Sequence, residues 1–95
     1  MIKHIVFINV PERSNDIKTE VKKRLLAMQG KIDVLKHIEV GLNFADEERA
    51  FDVALVTEFE SKEDLATYAV DPVHLEVIAY LKSLPVVTKV VDYEF

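Results

Sequence analysis

The chain has ninety-five residues, a formal net charge of −5 and no cysteine, a length that makes one domain, residues 1–95, with room for a modest core. Missing thiols exclude disulfides, thiolate metal sites and a cysteine nucleophile. The acidic balance, with no basic stretch denser than Lys22-Lys23-Arg24, argues against nucleic acid or an anionic membrane as the main partner. No apolar run approaches the ~20 residues of a membrane span, and Met1-Ile2-Lys3-His4 leads into a strand, not a secretory signal. A cytoplasmic protein is expected.

Ile2 to Val10 alternates His4, Val6, Ile8 and Val10 against Lys3, Ile5, Phe7 and Asn9, a strand apolar on both faces that Pro11 stops. Ser14 or Asn15 can cap the following helix by accepting a backbone N–H that has no partner within it. There Ile17, Val21, Leu25 and Met28 form one apolar stripe, with Lys18, Lys22 and Lys23 away from it. Leu26 falls off the stripe, as a contact with something outside this core. Gly30 is placed to end the helix in a left-handed conformation.

Leu35 to Phe44 sets Ile38, Val40, Leu42 and Phe44 against His37, Glu39, Gly41 and Asn43, a half-polar strand suited to a sheet edge. The charged turn Ala45 to Arg49 joins it to Phe51–Glu60 as an antiparallel hairpin. That second strand is the clearest in the chain. Phe51, Val53, Leu55, Thr57 and Phe59 take one face, and Asp52, Ala54, Val56, Glu58 and Glu60 the other, so its middle is apolar on both sides. A strand covered on one side only should show a polar second face.

Ser61 and Asp64 make a capping pair, and Leu65, Tyr68 and Ala69 give a short stripe before Asp71-Pro72. Proline lacks the N–H and disfavours a helical residue before it, so a break is predicted, with Asp71 capping a second segment. On that segment His74, Val77, Ile78 and Leu81 share a face until Pro85. Thr88 to Phe95 closes the chain as a strand.

The order β, α, β, β, α, β predicts an α+β, ferredoxin-like fold: a four-stranded antiparallel sheet with two helices on one face. The bare face would expose more apolar surface than a soluble monomer usually carries, which predicts a homodimer paired sheet to sheet.

The chain resembles the stress-responsive A/B barrel domain (Dabb) family. The likeness rests on Lys3-His4-Ile5-Val6, Gly30-Lys31-Ile32, Ile38 to Asn43, Asp52 to Ser61, Tyr68 with Asp71-Pro72-Val73-His74, and Val90 to Glu94. It implies dimeric α/β barrels with a cavity between sheet and helices, lined by His4, Tyr68 and His74 and able to hold a small apolar ligand. Many members read H-P-x-H at the helix break, where this chain has Asp71 in place of the first histidine. Some members are polyketide cyclases, and by that likeness His74 would be the base and Tyr68 the carbonyl-orienting group of an aldol-type ring closure. A histidine can exchange a proton near neutral pH, and a phenol can polarise a carbonyl. The plainer reading makes both satisfied core residues with hydrogen-bonded polar tips, in a protein without catalysis or in a module that only supports assembly.

No cofactor or metal is expected. His4, His37 and His74 are scattered without ligand spacing. A magnesium ion bound near the loop after the first helix, as the resemblance implies for some members, would find only the Asp33 carboxylate there. No serine sits in a G-x-S-x-G elbow.

Overall fold

In the computed structural model, which describes Met1–Phe95, the two strands that are apolar on both faces lie side by side at the centre of the sheet. The elements are β1 (Ile2–Asn9), α1 (Asn15–Leu26), β2 (His37–Leu42), β3 (Val53–Phe59), α2 (Lys62–Val70), α3 (Pro72–Lys82) and β4 (Val87–Glu94), with a short 3-10 turn at Pro11–Arg13. The sheet order is β2-β3-β1-β4, every neighbouring pair antiparallel. This is the ferredoxin-like arrangement, its second helix divided into α2 and α3.

Alternation sorts the strand residues cleanly. Ile2 and Ile8 of β1 and Val53, Leu55, Thr57 and Phe59 of β3 are buried under the helices, where Val21 and Leu25 of α1, Tyr68 of α2 and Val77 and Leu81 of α3 meet them in one core. Burying a side chain such as Phe59 stabilises the fold by about 1.5–3 kcal/mol. The opposite face carries three cross-strand rows: His37, Glu58, Lys3 and Tyr93; Glu39, Val56, Ile5 and Val91; Gly41, Ala54, Phe7 and Lys89. No element of the chain covers them. Phe7, Val91 and Tyr93 are left exposed.

Capping follows the sequence. Ser14 Oγ accepts from Ile17 N–H at 3.2 Å, Ser61 Oγ from Asp64 N–H at 3.1 Å, and Asp71 Oδ1 from Val73 N–H at 2.8 Å. Several expected boundaries are shorter. The first helix ends at Leu26, not at Gly30, because tight turn bonds from Met28 N–H to Leu25 O and from Gln29 N–H to Leu26 O replace the helical pattern. Gly30 does take a left-handed φ of 78°, but in the turn beyond, and Met28 is still fully buried. Leu26, partly buried, packs against the core instead of facing outward. The strand expected over Leu35–Phe44 spans only His37–Leu42. Phe44 leaves the sheet and is fully exposed, and Ala69, expected on a buried stripe, is exposed as well.

Asp52 departs most from a simple alternation. Placed by pattern on the polar side of its strand, it is 1 % exposed. Its Oδ2 accepts from Val10 N–H at 2.7 Å and its Oδ1 lies 3.8 Å from Arg13 Nε. Glu12 and Arg13 take positive φ values of 57° and 50°, a conformation that costs non-glycine residues free energy and persists only where surroundings hold it. The return is visible. The Arg13 guanidinium donates to the carbonyls of Glu47, Glu48 and Ala50 at 3.1–3.2 Å, pinning the loop before β3. Replacing Asp52 by Ala strands the buried Val10 N–H and should lower stability by about 2 kcal/mol, whereas Asp52→Asn, which keeps an acceptor, should lose less. Chemical denaturation of the two variants beside the parent checks the order.

Candidate functional site

The break between α2 and α3 shapes one wall of a cavity beneath the helices. Proline at position 72 has no N–H, and Val73 N–H is taken by the Asp71 carboxylate, so the Ala69 carbonyl loses the helical donor it would otherwise meet. His74 fills that role: its Nδ1 lies 3.0 Å from Ala69 O. A carbonyl only accepts, so Nδ1 carries the hydrogen. In the neutral ring Nε2 then holds the lone pair.

The His74 ring lies against Tyr68, with centroids 4.2 Å apart and planes at 38°. Tyr68 is wedged in turn against Phe59, 4.9 Å between centroids, and is 1 % exposed. Its hydroxyl donates to Met28 Sδ at 3.9 Å, a weak bond, since a thioether is a poor acceptor. His4 approaches Tyr68 edge-on at 6.2 Å. Antiparallel register places His4 of β1 directly opposite Asp92 of β4, and His4 Nδ1 donates to Asp92 Oδ1. Two imidazoles and a phenol thus form a connected group.

His4, Tyr68 and His74, the three residues singled out in the sequence, line one cavity of about 290 Å³. Nine of its twelve lining residues are hydrophobic, among them Val6, Leu55, Val77, Ile78 and Val90. Leu25 and Leu81 close it from the helix side. Val90 is 57 % exposed, because no helix covers β4, so the cavity opens between β4 and α3. His37 is elsewhere, on the uncovered face of β2, 4.0 Å from Glu39. The group missed in the sequence is Asp92. Only the pairing of β1 with β4 could reveal it, and that register is set by the whole sheet. No group of three or more His, Cys, Asp or Glu side chains is placed to hold a metal ion.

Burial sets the proton chemistry of the two central groups. The Tyr68 phenol is pushed up to about 12 by desolvation of its charged form, so the hydroxyl stays a donor throughout the physiological range. The His74 imidazole is held below its ordinary value of 6.5, chiefly because burial disfavours the cation, with nearby His4 adding to the effect. Its bond to Ala69 O and the Asp71 carboxylate oppose this in part. At neutral pH His74 is therefore a neutral imidazole, able to accept a proton at Nε2.

Linkage gives each shift a sign. The unfolded chain binds a proton on residue 74 more readily than the folded one, so stability should fall as pH drops below about 6.5. Tyr68 acts in the other direction: folding favours the protonated phenol, and its contribution, complete below pH ~10, should be lost as pH rises through about 12. Denaturant midpoints of the parent and of His74→Ala between pH 5 and 8 test the first, the variant showing the shallower slope. Ultraviolet titration of the phenols tests the second, with one tyrosine ionising later than the rest.

The sequence matches the family model of the stress responsive A/B barrel domain over residues 2–95. No protein of curated function matches it. Among solved structures, a dimeric protein of unknown function and ferredoxin-like fold from Bacteroides fragilis is 30% identical, with 99% of this chain and 95% of that one covered and a TM-score of 0.85. An Arabidopsis thaliana protein is 25% identical over 100% of this chain and 95% of its own, with a TM-score of 0.83. A hydroxynitrile lyase from Passiflora edulis, 18% identical over 97% and 90% of the two chains, has a TM-score of 0.79, a likeness in fold alone. With the family model spanning all seven helices and strands, the chain belongs to the stress-responsive A/B barrel domain family.

Proposed function

We propose that this protein is a cytoplasmic homodimer, paired through its uncovered sheet face, whose subunits each bind a small, mostly apolar molecule in the cavity under the helices. The observation that carries the binding reading is the cavity itself: about 290 Å³, nine of twelve lining residues hydrophobic, Tyr68 with its hydroxyl among them, and His4, His74 and Thr88 as the polar remainder. Ligand sites share that plan, an apolar body with a few polar groups that fix orientation, although about 300 Å³ is the small end of their range. The ligand is accordingly short. Its polar end, best a carbonyl oxygen, would take the Tyr68 hydrogen from the weak Met28 acceptor.

Pairing rests on the exposed apolar residues Phe7, Val91 and Tyr93 of the bare face, and it agrees with the dimeric B. fragilis protein. A second copy hides that surface at no cost to the helices.

A second reading is favoured by the protonation states. A neutral His74 with a free Nε2 beside a phenol that resists ionisation is suited to taking a proton from the carbon next to a carbonyl while Tyr68 hydrogen-bonds the developing enolate oxygen. The enolate carbon then attacks a second carbonyl of the same chain, closing the ring with a new carbon–carbon bond, and the proton held on His74 Nε2 passes to the alkoxide so formed. His4, oriented by Asp92, would shape the polar end. In this reading the protein is a polyketide-cyclase-like enzyme.

Calorimetry with a short linear 1,5-diketone, whose aldol closure gives a six-membered ring, separates the readings. Binding should be saturable in the parent and disappear in Val90→Trp, whose indole occupies the mouth. If His74→Ala binds equally well and no cyclised product forms with either protein, binding is the function. A ring-closed product lost by about 100-fold or more in His74→Ala supports catalysis instead. Equal heats from the parent and Val90→Trp remove the cavity from both accounts. Light scattering of the parent should give twice the chain mass.

A further inference from the structure

A second hollow lies behind the cavity, on the far side of Met28. It is a groove of about 160 Å³ between the end of α1 and α3, with Ala27, Met28, Val73 and Val77 as its apolar wall. Val77 lines both spaces. Met28 reaches the groove on one side, and on the other its sulfur takes the hydrogen of Tyr68, which lines the cavity. Cavity and groove therefore share a wall made of Met28 and Val77.

The two parts of that wall are unequal. Val77, within α3, is branched at Cβ and stiff about χ1. Met28 is unbranched, turns about three side-chain bonds and adapts to irregular gaps. It also lies beyond the end of α1, in a turn closed by its own N–H on Leu25 O at 3.1 Å. Of the two, Met28 is the one that can yield.

We propose that Met28 is the specificity-determining residue of the cavity: a movable partition that sets how long an apolar arm the site accepts, with the groove as the space that a longer arm enters. The inference rests on the binding reading above and adds the ligand class, a linear ketone with an apolar arm on each side of its carbonyl. A carbonyl oxygen that takes the Tyr68 hydrogen displaces the Met28 sulfur from it, so filling the site presses on Met28 directly. One arm of the ketone then lies in the cavity toward Val90, and the other points at Met28. Beyond the partition the rim carries Arg24, Lys31 and Glu76, all exposed. Arg24 is held over the Tyr80 ring at 3.9 Å and lies 3.8 Å from Glu20. Two cations against two carboxylates select no charge, so the inner arm is read by its length and its apolar character alone.

Calorimetry along a series of symmetrical linear ketones tests the partition, because their two arms grow together and one of them always faces Met28. In the parent, affinity should rise about fourfold for each methylene buried, then fall about tenfold at the length where the inner arm meets the wall. Met28→Ala, which removes every atom beyond Cβ, should move that fall outward by about three carbons per arm. Met28→Leu keeps the bulk without the sulfur, and its fall should come where the parent's does. The same limiting length in the parent and Met28→Ala, or a shift in Met28→Leu as large as in Met28→Ala, overturns the partition and leaves the cavity standing as a binding site. A parent that binds no member of the series removes the binding reading itself, so the two failures are told apart. Should Met28→Ala fail to fold, Val77→Ala thins the same wall from α3 and should move the limit by about one carbon; an unmoved limit there counts equally against the partition.

Discussion

A sheet whose central strands are apolar on both faces, in a chain with helices enough for only one, is the constraint on which the rest of this molecule depends. Ile5, Phe7, Ala54 and Val56 are as much a part of β1 and β3 as Ile8, Val53 and Leu55, yet only the second group finds cover within the chain. Hydrophobic burial is non-directional, and it does not distinguish a helix from another subunit as the source of cover. The face that receives the helices becomes the core and the cavity. The other is left for association. One alternating pattern thus fixes both the inside of the subunit and the apolar surface left for a partner.

The helix break governs the cavity in a similar way. A continuous helix would satisfy Ala69 O with the next turn's N–H and leave His74 free to rotate. Proline removes one donor, Asp71 takes another, and the carbonyl left over holds the imidazole. An aspartate in place of the first histidine of the H-P-x-H pattern therefore leaves the His74 imidazole anchored on Ala69 O. It exchanges a second imidazole for a stronger cap, and the proton-accepting nitrogen of His74 stays available. The position of His4 opposite Asp92 supplies a second oriented imidazole from the sheet side, independent of the helix break.

Fold class and strand identity were legible in the sequence because each depends on local information, whereas His4, Tyr68 and His74 could be placed around one cavity only through the family resemblance. Alternation, capping residues and a single Asp-Pro step suffice for the fold. What stayed hidden depends on partners distant in the chain. Asp92 matters through an antiparallel register with a residue 88 positions away, and nothing near it in sequence marks it. Asp52 reads as an ordinary polar position on a strand until the turn at Glu12-Arg13 folds a guanidinium against it. The end of α1 was misjudged for a smaller reason: an apolar stripe predicts which side is buried but not where the helical bonding stops, and tight turn bonds replace it after Leu26. Gly30 marked the left-handed residue correctly, yet not the last helical one.

The edge strand β4 joins the two halves of the account. Its odd residues Val91 and Tyr93 lie on the bare face, and its even residues Val90 and Asp92 lie on the side of the cavity. No helix covers it, and every one of its residues is exposed in the single subunit. Within one chain, then, Asp92 is held against His4 by their own hydrogen bond and by the pairing of β4 with β1, with one tie from a helix, Lys62 to Glu94 at 3.2 Å. A second copy resting on Val91 and Tyr93 would press the strand from behind and restrict the motion that separates the carboxylate from the imidazole. Alternation along eight residues couples the two faces mechanically. Pairing through that face and order in the cavity would be, in that physical sense, one equilibrium.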